Sequence, residues 1–184
     1  MNFSAVLLAG GKSTRMGRDK ASLPYQGRML WEHQIETLRE SGAAEILISG
    51  PPHGVYADSG YTIISDASVN CGPIGGLYST LAKAAHGHVL LLAVDLPHMT
   101  SGYMKCLWSK CLPGRGVAGF DEAYEPLTAF YPKELLPLLE SHISKNEYSF
   151  QKLIAEAEAL GLMATFPIAK EDLGFFYNWN APQE

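Results

Sequence analysis

Cysteine is scarce in this chain, and its pattern argues against two kinds of stabilised scaffold. The three residues, Cys71, Cys106 and Cys111, are an odd number and include no C-x-x-C pair. They therefore indicate neither a disulfide framework nor a cysteine zinc site. Reduced thiols are typical of cytoplasmic proteins, and we expect this protein to be cytoplasmic.

Basic residues and long apolar runs are also in short supply. Lysine and arginine total 14 against 19 acidic residues, for a net charge of −5. Nucleic-acid binders usually carry a basic excess, so we expect no nucleic-acid partner. The longest apolar run, 89–94, is far shorter than a membrane span, so we expect no membrane partner either.

The apolar pattern alternates between strand-like and helix-like segments. With 184 residues, 47% of them hydrophobic, the chain fits one domain, 1–184. Alternation of this kind predicts βαβ units and an α/β fold with a mostly parallel sheet flanked by helices, a three-layer Rossmann-like arrangement. Strands are predicted at 3–8, 45–49, 61–65, 88–94, 117–120, 127–131 and 162–166. Helices are predicted at 29–39, 77–85, 102–110, 133–141 and 150–160. The shorter strands of the second half could include an antiparallel member.

A glycine loop with clustered cations follows the first strand. Residues 7–20 read L-L-A-G-G-K-S-T-R-M-G-R-D-K. Adjacent glycines allow a close backbone approach, and successive N–H groups in such a turn form a nest for phosphate oxygens. A Walker A loop is excluded because its first glycine would fall on Val6, and G-x-G-x-x-G is excluded because position 12 is Lys. The spacing predicts a triphosphate loop of another kind, in which Lys20 contacts the phosphates and Arg15 stabilises developing charge.

Two aspartates follow predicted strands. Asp95 comes directly after the apolar run 89–94, where its carboxylate could hold Mg²⁺ against substrate phosphates or cap the next helix. Asp66 follows the third strand and could bind a base or ribose, or make an Asx-turn. Asn180 could supply a neutral oxygen to the metal or to a second substrate. Ligands of open α/β sheets bind beyond the carboxyl ends of the strands, so we expect the polar residues at these ends to line one crevice: Gly10, Gly11, Ser49, Asp66 and Asp95.

These motifs together resemble one family. Residues 8–17, followed by Asp19 and Lys20, are similar to the signature of the molybdenum cofactor guanylyltransferases, the MobA family of Rossmann-like nucleotidyltransferases. Further matches run along nearly the whole chain: S-D at 65–66, G-P-I-G-G-L at 72–77, V-D-L-P at 94–97, E-P-L at 125–127 and N-W-N-A-P at 178–182.

The resemblance implies transfer of GMP from GTP to molybdenum-bearing molybdopterin, with release of pyrophosphate. It implies a GTP and Mg²⁺ half at 1–98 and a molybdopterin half at 99–184, with Mg²⁺ as cofactor at Asp95. The implied catalytic residues are Arg15, Lys20 and Asp95, and Asn180 serves the second substrate. The implied GTP contacts are Leu8, Ala9, Gly10, Gly11, Lys20, Asp66 and Asp95. Cofactor biosynthesis proteins and acceptor molybdoenzymes are the implied protein partners.

Two positions depart from the family pattern, and three other functions stay open. The second predicted strand ends Ser49-Gly50-Pro51, where relatives often place asparagine near the base, and Glu125 stands where histidine is common. A cytidylyltransferase would tend to read L-A-A-G in the first motif. A sugar-phosphate nucleotidyltransferase would usually carry glycine at position 13 and a later Pro-Lys pair. A non-catalytic GTP-binding or cofactor-delivery module would bind GTP without releasing pyrophosphate.

Overall fold

The computed structural model describes residues 1–10, 19–65 and 71–179. The strands in this part of the chain are β1 (Ser4–Leu8), β2 (Pro24–Tyr25), β3 (Arg28–Met29), β4 (Glu45–Ser49), β5 (Thr62–Ile64), β6 (His88–Ala93), β7 (Gly116–Phe120), β8 (Tyr124–Pro132) and β9 (Met163–Pro167). The α-helices are α1 (Leu30–Glu40), α2 (Gly72–Lys83), α3 (Ser101–Trp108), α4 (Leu136–Ser144) and α5 (Phe150–Ala159). Short 3₁₀ helices occupy Lys20–Ser22, Lys133–Leu135 and Lys170–Phe176.

Seven of these strands form one sheet in the order β5-β4-β1-β6-β8-β7-β9. The strands from β5 to β6 are mutually parallel, β8 runs antiparallel to both of its neighbours, and β7 pairs in parallel with β9. The predicted mostly parallel sheet is confirmed, and β8 is the antiparallel member expected in the second half. Leu92 pairs with Thr128, so the first residues of β8 extend past β6 toward Asp95.

Two apolar layers cover the faces of the sheet. Along β1, Ala5 and Leu7 pack on the side of α1 and α3, whereas Val6 and Leu8 pack on the side of α2, α4 and α5. All five residues of β1 and all six of β6 are buried, as expected for central parallel strands covered on both faces. The predicted three-layer α/β fold is therefore confirmed.

Three local predictions differ from the structure. The helix predicted at 77–85 starts earlier, because α2 begins at Gly72 and Pro73 lies in its first turn, where a proline removes no helical hydrogen bond. The 127–131 strand is longer, since β8 starts at Tyr124 and a register shift opposite Ala118 and Gly119 lets it bend and continue. The hairpin of β2 and β3 was not predicted, because two-residue strands leave no periodic signal.

No helix in the described ranges is both long enough and apolar enough to cross a membrane. The three cysteines are free thiols, with Cys71 and Cys111 buried.

Candidate active site

Backbone hydrogen bonds join the carboxyl ends of the central strands into one edge. The N–H of Val94 donates to the carbonyl of Leu8, and the N–H groups of Ala9 and Gly10 both donate to the carbonyl of Ser49, at 2.9 and 3.0 Å. The side chain of Gln34 on α1 donates to the carbonyl of Val94 at 3.3 Å. Hydrogen bonds therefore hold the carboxyl ends of β1, β4 and β6 together. We call this edge, formed by Leu8, Ala9, Gly10, Ser49 and Val94, the platform.

Leu8 and Ala9 have buried side chains on this platform, so either residue would contact a nucleotide mainly through its backbone. Gly10 is exposed, but its N–H is already bonded to Ser49. The N–H groups of Ala9 and Gly10 are therefore not free for a phosphate nest, and the rest of the predicted loop, 11–18, lies outside the described residues.

Asp95 lies at the end of β6, as predicted, and it is not a helix cap. The next helix begins at Ser101, and Thr100 caps it by accepting a hydrogen bond from the N–H of Tyr103 at 3.2 Å. The Asp95 side chain retains 20% exposure, so it can reach a ligand in the crevice. The capping alternative is therefore wrong, and the carboxylate is available for chemistry.

Lys20 and Asp95 meet at this edge although 75 residues separate them in sequence. The Lys20 Nζ donates to Asp95 Oδ2 at 2.7 Å, and both side chains are largely buried. Asp19 fixes the start of the 3₁₀ turn that carries Lys20, because its Oδ1 accepts from the N–H of Ala21 at 3.0 Å. A cation able to bind phosphate and a carboxylate able to hold a metal thus occupy one place, as the sequence predicted.

The C-terminal segment is tied to the same point. The N–H of Trp179 donates to the carbonyl of Asp95 at 2.7 Å. The Trp179 ring packs edge-on against Tyr25, with centroids 5.3 Å apart, and lies 6.4 Å from His98. Trp179, the last described residue, therefore lies beside Asp95.

Four candidate residues lie outside the described residues: Gly11, Arg15, Asp66 and Asn180. Their predicted roles stay predictions. Ser49, expected to line the crevice, is instead buried, and it contributes its carbonyl to the platform.

Sequence reasoning missed Tyr56, which fills the space beneath the platform. Tyr56 is completely buried, and its hydroxyl has no hydrogen-bond partner among the described residues. Burial raises the pKa of Tyr56 to about 12, and the Asp19 carboxylate adds to this effect. A Cβ added at Gly50 would lie 2.1 Å from the Tyr56 hydroxyl. Position 50 must therefore be glycine to leave room for the Tyr56 hydroxyl. The only signal in the sequence was the glycine of the G-P-P segment.

Gly50→Ala should destabilise the protein by about 1–3 kcal/mol, because the new methyl group meets the Tyr56 hydroxyl inside a packed core. Tyr56→Phe removes a buried hydroxyl without a partner and should be nearly neutral. The double variant should recover part of the loss, since the nearest remaining ring atom is 3.1 Å away. Urea denaturation of all four proteins measures this coupling, and strictly additive effects would contradict it.

A family model and several relatives match the chain that builds this site. The model, described as the MobA-like NTP transferase domain, matches residues 5–160. A probable molybdenum cofactor guanylyltransferase of Opitutus terrae is 32% identical over 186 residues, covering 99% of this chain and 92% of its own. A protein of the same description from Deinococcus radiodurans is 33% identical over 187 residues, covering 99% and 91%.

The chain belongs to the MobA-like NTP transferase family. The resemblance seen in the glycine loop is therefore confirmed, and the protein is a nucleotidyltransferase by family. The match includes β1, the Lys20 turn and Asp95, so both members of the ion pair lie within the family's domain.

Solved structures support the fold. Molybdopterin-guanine dinucleotide biosynthesis protein A of Archaeoglobus fulgidus superposes with a TM-score of 0.75 at 21% identity, covering 97% of this chain and 93% of its own. A nucleotidyl transferase of Methanothermobacter thermautotroptrophicus superposes with a TM-score of 0.78 at 13% identity, covering 97% and 92%. At these identities the likeness concerns the fold alone.

Proposed function

We propose that the protein transfers GMP from GTP to the terminal phosphate of molybdenum-bearing molybdopterin. A phosphate oxygen of the pterin forms a bond to the α-phosphorus of GTP, and the bond from that phosphorus to the bridging oxygen breaks, releasing pyrophosphate. No covalent enzyme intermediate is needed, so catalysis rests on positioning and charge stabilisation.

The ion pair between Lys20 and Asp95 is the observation that carries this proposal. It lies at the platform formed by Leu8, Ala9 and Gly10, where the phosphate loop begins. Lys20 would leave the carboxylate to bind phosphate oxygens, and arginine at position 15 would stabilise charge on the transferred group. The names of the full-length relatives supply the proposed substrates.

The donor set fits Mg²⁺. The described residues contain no group of three or more histidine, cysteine or acidic side chains able to hold a metal. A single strand-end carboxylate suits an ion that takes one or two carboxylates and completes its shell with phosphate oxygens and water. Asp95 would hold it, with Asn180 as a second oxygen donor. When bound, the ion would neutralise charge on the triphosphate.

The two proposed substrate-binding halves correspond to the two sides of the sheet, with β5, β4, β1 and β6 in the first half and β8, β7 and β9 in the second. We propose that residues 1–98 bind GTP, with Gly11 and Asp66 adding contacts to the phosphates and to the base or ribose. Residues 99–184 would bind the pterin, with Asn180 at the junction. Cofactor biosynthesis proteins and acceptor molybdoenzymes are the proposed protein partners, and the cytoplasm is the proposed location.

GTP should stabilise the protein more than CTP, UTP or ATP, and Mg²⁺ should increase the effect. A ligand that binds only the folded state stabilises it by about 2.7 kcal/mol at roughly 100 times its dissociation constant. Thermal-shift measurements with the four nucleotides, each with and without Mg²⁺, check this expectation.

Pyrophosphate release on addition of molybdenum-bearing molybdopterin then tests the transfer step. GTP binding without pyrophosphate release would point to a delivery module. A preference for CTP or UTP would move the protein to a sibling specificity, and no response to any nucleotide would contradict the proposal.

A further inference from the structure

A carboxyl group that has no partner among the described residues lies across β6 from the proposed GTP platform. Glu125 is the second residue of β8, in the part of that strand that extends past β6 toward Asp95. It is only partly buried, so a ligand can reach it. Among the described residues, no group donates a hydrogen bond to the Glu125 carboxylate, and no lysine or arginine forms an ion pair with it.

The register of β7 and β8 shows which way Glu125 faces. Glu125 pairs with Gly119, and cross-strand partners project their side chains to the same face of the sheet. A Cβ at Gly119 would lie 2.6 Å from the Tyr103 hydroxyl. Glu125 therefore projects toward Tyr103 on α3. The Tyr103 pKa is raised mainly by burial, with smaller contributions from Asp172, Cys106 and Glu125, which agrees with this placement.

The Tyr103 hydroxyl also lacks a partner among the described residues. Its ring packs against Phe175 and Phe176, at centroid distances of 6.1 and 5.3 Å, and both phenylalanines are partly exposed. An acceptor pair, one hydroxyl and an aromatic wall thus occupy one place, which we call the Glu125 subsite. These groups suit a flat heterocycle that presents hydrogen-bond donors on one edge.

We propose that the Glu125 subsite recognises the 2-amino-4-oxopyrimidine edge of the pterin in the second substrate. The two carboxylate oxygens of Glu125 would accept from the 2-amino group and from N3–H. The Tyr103 hydroxyl is buried in this structure, so it would donate to the 4-oxo group only after its ring moves toward the ligand. Guanine presents the same edge. The pterin is the assigned occupant because β6 separates this subsite from Leu8, Ala9 and Gly10, where GTP is placed. The assignment rests on the proposed function.

The Glu125 carboxyl lowers the stability of the folded state when it is ionised, as expected for a group that serves binding and not folding. Burial and then Asp121 raise the pKa of Glu125, so the folded state binds its proton more tightly than the unfolded chain does. Stability from this group is therefore present at low pH and is lost as the pH rises through the raised pKa. In the described part of the chain, Asp121 in the β7–β8 turn acts on the pKa of Glu125, and Cys106 on α3 and Asp172 in the last 3₁₀ helix act with Glu125 on that of Tyr103; none of these groups is a cation. Glu125→Gln should raise Tm near neutral pH and change it little at pH about 4.

The test measures binding of two probes that differ at one edge. Neopterin monophosphate is a 2-amino-4-oxopterin with a phosphorylated side chain, and the matching 2,4-dioxopteridine replaces its 2-amino donor with an oxo group. With GTP present, wild-type protein should bind the pterin about 10- to 100-fold more tightly than the dioxo compound, the range for hydrogen bonds to a charged group. Glu125→Gln should remove most of this preference, whereas Tyr103→Phe should weaken the binding of both probes, because both carry the 4-oxo group.

Glu122→Gln is the matched control, because Glu122 is exposed in the neighbouring turn and carries the same charge. It should keep the wild-type preference. A preference unchanged in Glu125→Gln, or lost equally in Glu122→Gln, would overturn the assignment. ITP lacks the 2-amino group of GTP. If Glu125→Gln lost the ability to discriminate between GTP and ITP, that result would also overturn the assignment to the pterin and would assign the subsite to guanine. Failure of the proposed function appears separately, as a wild-type protein that GTP does not stabilise.

Discussion

Asp95→Asn should lower the rate of GMP transfer by on the order of 10³-fold, while the protein stays folded. Asparagine has the shape of aspartate but carries no negative charge, so it should weaken both the proposed metal site and the contact with Lys20. Asp95 is partly exposed and caps no helix, which leaves little structural reason for unfolding. Single-turnover pyrophosphate release with saturating GTP and Mg²⁺ measures the change.

Asp58→Asn is a suitable control, since Asp58 is an exposed aspartate in the loop between β4 and β5. It should keep wild-type activity. Lys20→Met measures the contribution of the lysine separately from that of the Asp95 carboxylate. If Lys20 and Asp95 act as a unit, the double variant will lose little more activity than Asp95→Asn alone. Retention of a tenth or more of the wild-type rate by Asp95→Asn would contradict the catalytic role of this carboxylate.

Gly116→Val should destabilise the protein by about 3 kcal/mol or more, enough to unfold a large fraction of a marginally stable domain. Gly116 begins β7, between β8 and β9. A Cβ there would lie 2.0 Å from the carbonyl oxygen of Phe130 and 2.8 Å from the sulfur of Met163. No side-chain rotation relieves this overlap, because the clash involves the Cβ itself and the backbone of the neighbouring strand.

Gly87→Ala provides the comparison for this variant. A Cβ at Gly87 meets no atom within 4 Å, so the substitution should change stability by less than about 0.5 kcal/mol. Urea midpoints of the two variants measure the difference. Similar midpoints would contradict the expected overlap in β7, and with it the close pairing of β7 and β8 that directs Glu125 toward Tyr103.

Strong local patterns allowed several elements to be predicted. The second strand was predicted at 45–49, and β4 has these bounds, because a short apolar run between polar residues and G-P-P has few alternatives. The fifth helix was predicted at 150–160 and ends one residue earlier. The start of α2 was missed because glycines at 72, 75 and 76 have low helix propensity, which buried packing overrides.

The sequence by itself determined the class of fold and predicted where a site would lie. Alternating periodicities indicate a mostly parallel sheet, and parallel strands bring their carboxyl ends to one edge, so Gly10 and Asp95 were expected at the same edge before any contact was known. Tertiary structure decided which groups actually meet. The pairing of Lys20 with Asp95 joins residues that are far apart in the chain. The Tyr56 hydroxyl under Gly50 and the placement of Glu125 opposite Gly119 join nearer residues, but they depend on core packing and on a register shift between β7 and β8. Local propensity specifies none of these contacts, whereas strand order, register and packing do.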